Sequence, residues 1–430
     1  MRSGHLRIDN VPLTRGEDGT PSDAYAAWLN SVGEGFYGKP STGERLEQMF
    51  QSHQIDARVL TAVYDDSRDT KLVDSLVPVA TYASFTKTLN VGDGLLPAHL
   101  VTTVTVRPTH RRRGILRKLM SDDLAKAKSA GFAVAALTAT EATIYGRFGF
   151  GRCTEAQRMN LDVRGEVRFH AVPVGSVVQV VPSKLSDIAA EVFERFHTTQ
   201  RGSVGRQEAY QRHATGAWGP DGQEPDPKTR AAVYLDDAGV IQGFVTYAFT
   251  GWEPAPITLE IRDLVAATPI ARRELFRFMT AHDLIERVSY PAAAANDPLG
   301  WALEDPARLS YLEREHGLWV RVLDVQAAFA ARKYTGSGFF TLRVADVQGL
   351  TSGSYAFEIT EGTPEITRIE DSSKASIACD VQVLGPLLLG TAPIADLLAA
   401  GIVTLDDPSD LGRLAALVDL PGIPHAINGF

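Results

Sequence analysis

Cysteine is almost missing from this 430-residue chain: there are two, Cys153 and Cys379. They lie far apart and fit no metal-ligand or redox spacing, which excludes a disulfide scaffold and a zinc or CxxC centre. Two structural thiols in a reducing, cytoplasmic compartment are expected, and no metal. Long apolar runs are missing as well. The nearest to one, Gly385 to Val403, is broken by Pro386, Pro393 and Asp396, so it predicts helix, loop and helix in a core rather than a membrane span. The opening residues MRSGHLRIDN hold no apolar stretch of the kind a secretory signal carries. Surplus positive charge is absent too. With 43 Lys and Arg against 52 Asp and Glu, the net charge is −9. That argues against nucleic acid as the main partner and suits attraction of a cationic substrate.

What is present is ordinary in bulk: 44% hydrophobic and 22% charged residues describe a globular protein. The length predicts roughly two to four domains. The informative stretch is Leu100 to Gly151. Val101, Val104 and Val106 make a β-branched strand, which Pro108 ends because it cannot donate to a ladder. Arg111-Arg112-Arg113-Gly114 leads into Leu116, Leu119, Met120 and Leu124, apolar at helical spacing. Gly131 suits a left-handed helix end, Phe132 to Leu137 form the next strand, and a helical turn carries Tyr145. A basic glycine loop feeding a helix start is an anion site: free N–H groups and the positive dipole end face the ligand.

These residues carry a resemblance. The stretches PTHRRRGILRKLM and IYGRFGFG resemble the acetyl-CoA-binding core of the GNAT N-acetyltransferases, and more narrowly its Eis (enhanced intracellular survival) branch. Leu116 stands where the general GNAT pattern has glycine or alanine, a departure that the Eis branch shares. The resemblance implies a mixed α+β fold with three domains: a catalytic GNAT domain over 1–160, a degenerate GNAT-like domain over 161–316 and a sterol-carrier-like domain over 317–430.

The rest of the chain agrees with that plan. Ala24 to Leu29 and Arg45 to Phe50 predict helices around a Gly/Pro linker whose Phe36 and Tyr37 either wall the acceptor pocket or pack under the loop. Val59 to Tyr64 and Leu76 to Phe85 predict paired strands. Residues 231–249 and 261–279 echo the first unit's hairpin and its strand, proline, arginines and helix, which suggests duplication. In that copy Glu274 is expected at or beside the position of Gly114, a negative side chain where a pyrophosphate would approach. From Gly317 onward a strand, a helix from Val325, four strand-like segments and closing helices are expected.

For the chemistry, the resemblance assigns acetyl-CoA as co-substrate. The edge of Val104, Thr105 and Val106 would polarise the thioester, and the backbone of Arg112, Arg113, Gly114, Ile115, Leu116 and Arg117 would cradle the pyrophosphate. Thr140 and Glu141 would line the acetyl and pantetheine end. Tyr145 is the expected general acid, since a phenol with an ordinary pKa of about 10 is protonated at neutral pH. The resemblance also brings the C-terminal carboxylate of Phe430 into the site, as base or water-orienting group. His110, before the arginines, is expected to pack the loop rather than act as a base. The implied reaction is N-acetylation of a small polyamine-type acceptor such as an aminoglycoside, by a homohexamer. The alternatives are a lysine or polyamine acetyltransferase without an antibiotic role, and a non-catalytic lipid-binding module built on the third domain.

Overall fold

Three sheets organise the described residues, and the strand order of each runs across the sequence order. The computed structural model describes residues 5–67, 71–72, 74–139, 141–219, 225–370 and 374–430. The first sheet begins with β1 (Leu6–Val11), β2 (Val59–Asp65), β3 (Ala80–Asn90), β4 (Leu95–Val106), β5 (Val134–Thr138) and β6 (Gly151–Arg152). Helices α1 (Asp23–Gly35) and α2 (Gly43–Ile55) precede β2, α3 (Ile115–Ser129) makes the crossover from β4 to β5, and α4 (Ala142–Tyr145) follows β5. The second sheet holds β7 (Glu155–Asp162), β8 (Ser176–Val180), β9 (Thr229–Leu235), β10 (Ile241–Phe249), β11 (Thr258–Ala266), β12 (Arg287–Ala294) and β13 (Leu309–His316). Three helices flank it: α5 (Leu185–Thr199), α6 (Glu208–Ala214) and α7 (Pro269–Met279).

β14 (Leu318–Val322) then returns to the first sheet and inserts between β5 and β6, antiparallel to both. A five-stranded sheet follows, β15 (Gly338–Ala345), β16 (Gly353–Thr360), β17 (Thr363–Ile369), β18 (Ile377–Asp380) and β19 (Val403–Leu405), ordered β17-β16-β15-β18-β19. The chain passes to the second sheet between Arg152 and Glu155, and the strand after 316 belongs to the first.

Strand alternation gives the first sheet two apolar faces. Ala135, Leu137 and Val101 pack with Leu119, Met120 and Leu124 of α3. Their neighbours Ala136, Leu100 and Phe85 face the other way, into a core shared with β14 and the third unit. Arg321 of β14, 0% exposed, donates to Asp346 at 2.5 Å and to Thr351 at 3.0 Å. That buried charge pair fastens the third unit to the first sheet. It would be strongly destabilising to break from one side.

Four histidines are buried: His110 in the loop before α3, His53 against the Tyr25 hydroxyl at 3.1 Å, His197 between Thr88 at 2.8 Å and Ser203 at 3.0 Å, and His425 in the C-terminal tail. Loss of hydration pulls His53 down to about 3 and His197 and His425 to about 4. Between those values and the ordinary 6.5 the unfolded chain binds protons that the folded chain refuses. Stability from these groups is therefore complete above about pH 6.5 and declines as pH falls toward 4. Calorimetry should show the thermal midpoint dropping steadily from about pH 6.5 to about pH 4.5, with a shallower slope in His197→Gln. A flat profile over that range would contradict the assignment.

Candidate active site

The site opens where β4 and β5 part. The two are parallel partners only over Ala98–Leu100 and Val134–Ala136. Beyond Leu100, β4 continues to Val106 paired with β3 alone, Thr81 opposite Thr105 and Ala80 opposite Val106. A bulge helps to turn it away: Thr103 takes a left-handed φ of 51°, and the register slips between Thr81 and Ala83. The Thr81 hydroxyl secures the bulge by donating to the Thr103 carbonyl at 2.9 Å, and it lies 2.6 Å from the Thr105 hydroxyl. Val104, Thr105 and Val106 thus present a strand edge to the wedge. Gly35, at the end of α1, sits so close that a Cβ on it would come within 2.5 Å of Thr105. Phe36 and Tyr37, just beyond, are exposed (58% and 94%) rather than packed beneath the loop.

Residues 107–114 link β4 to α3. His110 is buried in this loop, its Nε2 2.9 Å from the Asp65 carboxylate and its Nδ1 2.8 Å from the Thr109 hydroxyl. Hydrogen bonds from Ser67 and His110 hold the Asp65 carboxyl well below the usual carboxylate range. His110 therefore packs the loop, as expected. Arg112 and Gly114 both take left-handed φ, 62° and 80°. Ile115 is buried and Leu116 packs against the α3 core, so the bulk at this position points away from the loop. The first helical bond is Lys118 N–H to the Gly114 carbonyl at 3.0 Å. The N–H groups of Ile115, Leu116 and Arg117 are left outside the helix ladder. Arg111, Arg112, Arg113 and Arg117 are exposed, and a Cβ at Gly114 would meet nothing within 4 Å. Free N–H groups, open space and four guanidinium groups fit a diphosphate.

Tyr145 and Phe430 flank the C-terminal end of β5 from opposite faces. Tyr145 is half-buried against the α3-side core, its ring 6.4 Å from Phe150 in a T-shaped contact. Burial and then the nearby Glu141 raise its phenol pKa, so it is protonated at neutral pH. Phe430 packs against the other core, edge to face with Phe85 at 5.9 Å. The Thr138 hydroxyl donates to a terminal oxygen of Phe430 at 2.5 Å and lies 3.3 Å from its N–H. The arrangement brings the two residues to one strand end, but no hydrogen bond joins them. Glu141 is exposed, and Thr140 lies outside the described residues.

Sequence and structure comparisons point the same way. Residues 20–153 and 202–322 each match an acetyltransferase (GNAT) domain model, and residues 325–426 match a sterol carrier protein domain. The chain is 34% identical to a protein of Streptomyces avermitilis named as an uncharacterized N-acetyltransferase, over 98% of this chain and 99% of that one. It is 31% identical to the N-acetyltransferase Eis of Mycobacterium tuberculosis, over 76% of this chain and 79% of that one. The chain belongs to the Eis-like GNAT N-acetyltransferases. The crystal structure of Eis1 from Mycobacterium abscessus shares the fold, with a TM-score of 0.79 at 24% identity over 99% of this chain and 100% of that one. An Enterococcus faecalis protein described as a probable N-acyltransferase shares it with a TM-score of 0.80 at 18% identity, over 99% of each chain.

Membership makes this an acetyltransferase enzyme with two GNAT units and a sterol-carrier-like unit, and its fold implies use of acetyl-CoA. One expectation about the second GNAT unit needs correcting. Glu274 does not stand in for Gly114. Pro269 starts α7 and Thr268 caps it, accepting from Ala271 N–H at 3.1 Å, so Glu274 falls inside the helix, buried between Arg273 and Arg277. Between β11 and α7 stand only Ala267 and Thr268, where the Eis-like loop of the first unit has residues 107–114. A proline at the first position fixes a helix start more firmly than the arginine repeat could shift it.

Sequence reasoning missed Thr138, Phe85 and the residues that hold the C-terminal tail. None belongs to a local pattern, and only the fold brings them to Phe430. The IYGRFGFG motif also proves to be partly a packing device, since a Cβ on Gly151 would come within 1.8 Å of the Gln382 carbonyl oxygen of the third unit. The two glycines therefore separate experimentally. Gly114→Ala, strained only in its backbone, should cost about 1 kcal/mol of stability and raise the dissociation constant of acetyl-CoA about tenfold. Gly151→Ala should cost about 3 kcal/mol or more and leave that affinity nearly unchanged. Calorimetry with denaturant titration and equilibrium binding would check both.

Proposed function

We propose that this enzyme moves the acetyl group of acetyl-CoA to an amine of a polyamine-type small molecule, such as an aminoglycoside, by direct transfer. The observation that supports this most is the unpaired edge of β4 opening beside an anion-ready loop. In this reading acetyl-CoA supplies an acetyl thioester. Backbone groups of Val104, Thr105 and Val106 orient and polarise its carbonyl, acting where charge develops. Arg112, Arg113, Gly114, Ile115, Leu116 and Arg117 hold the diphosphate through N–H groups and charge, while Thr140 and Glu141 line the acetyl end.

Tyr145 donates its phenolic proton to the departing sulfur. Its raised pKa keeps that proton in place until the thiolate forms. The Phe430 carboxylate takes the amine proton, directly or through a water, as the new C–N bond forms. Holding the amine and the thioester together removes much of the entropic barrier. A chain with a net charge of −9 favours a cationic acceptor. The name of the mycobacterial relative carries no acceptor, so the aminoglycoside assignment is this reading's own.

Two measurements test it. Tyr145→Phe should lower kcat by about 10²-fold or more with the KM for acetyl-CoA unchanged, and removal of Phe430 should abolish turnover while acetyl-CoA still binds. Full activity without Phe430 would remove that residue from the mechanism. Thiol release from acetyl-CoA should be fast with an aminoglycoside and slow with a lysine peptide. The reverse order would make this a lysine acetyltransferase, and no thiol release with any amine would favour the lipid-binding module.

A further inference from the structure

The last ten residues are gripped by a segment of the central unit. Arg201 Nη2 donates to the carbonyls of Pro421 at 2.9 Å and Gly422 at 2.6 Å, and the Arg201 carbonyl accepts from His425 N–H at 2.9 Å. The Tyr210 hydroxyl donates to the Ile427 carbonyl at 2.6 Å. Asn428 is held from both ends, its Nδ2 donating to the Val204 carbonyl at 2.8 Å and its Oδ1 accepting from Arg206 Nε at 3.1 Å. The Gln207 amide donates to the Gly429 carbonyl at 2.7 Å.

The gripping segment is fixed in turn to the catalytic sheet. Gly202 and Gly205 N–H donate to the carbonyls of Asn90 and Thr88, both at 2.9 Å, and Asn90 N–H donates to the Ser203 carbonyl at 3.0 Å. Asp56, at the end of α2, accepts from Glu208 N–H at 3.2 and 3.3 Å and pairs with Lys87 at 2.8 Å. Arg206 anchors the centre. It pairs with Asp263 at 2.8 Å, with side chains 5% and 2% exposed, and stacks over Phe193 at 4.4 Å. A glycine before a terminal residue would ordinarily leave that residue sampling a wide volume. Here the carbonyls on both sides of Asn428 are pinned, and one residue beyond them Phe430 itself meets Thr138.

The geometry points to a role for the central GNAT-like unit: residues 201–210 clamp the tail and set the reach of the Phe430 carboxylate, with Gln207 and Tyr210 as positioning residues for acetyl transfer. This rests on the reading of Phe430 as the acceptor of the amine proton. Its contribution is proximity, since a group held within bonding reach acts at a high effective concentration that a frayed end forfeits.

The test uses Gln207→Leu and Tyr210→Phe, singly and together. Arg206 is left intact because its loss would strand the buried Asp263 charge. Carboxypeptidase release of Phe430 from the 430-residue protein, followed by mass, reads the clamp directly. Release should quicken about tenfold or more in the double variant, and kcat should fall about tenfold, with the KM for acetyl-CoA unchanged. Release at the wild-type rate overturns the clamp. Faster release with wild-type kcat overturns the positioning role. Undiminished turnover by wild-type enzyme trimmed of Phe430 instead overturns the reading of that residue, and leaves the clamp standing. Should the double variant fail to fold, the single Gln207→Leu variant carries the same comparison.

Discussion

A sheet that pairs two parallel strands for three residues and then lets them diverge must leave one of them with an open edge. That constraint organises the first unit. β4 and β5 are joined at Ala98–Leu100 and Val134–Ala136, and among the described residues no strand replaces β5 beside Val104, Thr105 and Val106. An open edge inside a protein is costly unless something polar fills it. The surroundings are built to hold it open rather than to close it. The Thr103 bulge re-aims the strand, Gly35 brings α1 against Thr105, and residues 107–114 place free N–H groups next to the gap. The extended arm of an acyl-CoA is the complement such an edge can take.

Much of this was legible in the sequence because it is local. The valine run, Pro108, the arginines with Gly114, the apolar spacing of α3 and Gly131 all act on their own neighbours, and the elements formed where those signals lie. Position relative to distant chain was not legible. β14 carries an ordinary strand pattern in Leu318, Val320 and Val322, and nothing in that pattern says that it completes a sheet begun at Leu6. Phe85 reads as one apolar strand residue among several, yet Arg58 lies 4.5 Å over one side of its ring and Phe430 meets it edge-on. Glu274 was misplaced for a related reason. Arginine pairs at similar distance from a proline suggested one register, and the cap at Thr268 set another.

The second unit repeats the fold of the first without the loop that leads into its helix. With two residues where the first unit has a loop, and with Thr268 already bonded to the helix start, α7 offers little to an anion. Its sheet keeps a buried core of its own around Val245, Ile261, Leu275 and Phe276, and its other face receives Ile427 of the tail.

The place of β14 also governs how the protein comes into being. A ribosome makes the chain from its first residue, and the first sheet lacks the strand between β5 and β6 until Leu318–Val322 has been translated. Through most of synthesis, then, the nascent first unit carries an uncovered β5 flank, and it acquires its final strand only after the whole second sheet has emerged. The amide groups of β5 that await β14 are the same kind of template on which wrong chains pair. Completion of the first sheet is thus tied to translation as far as Val322.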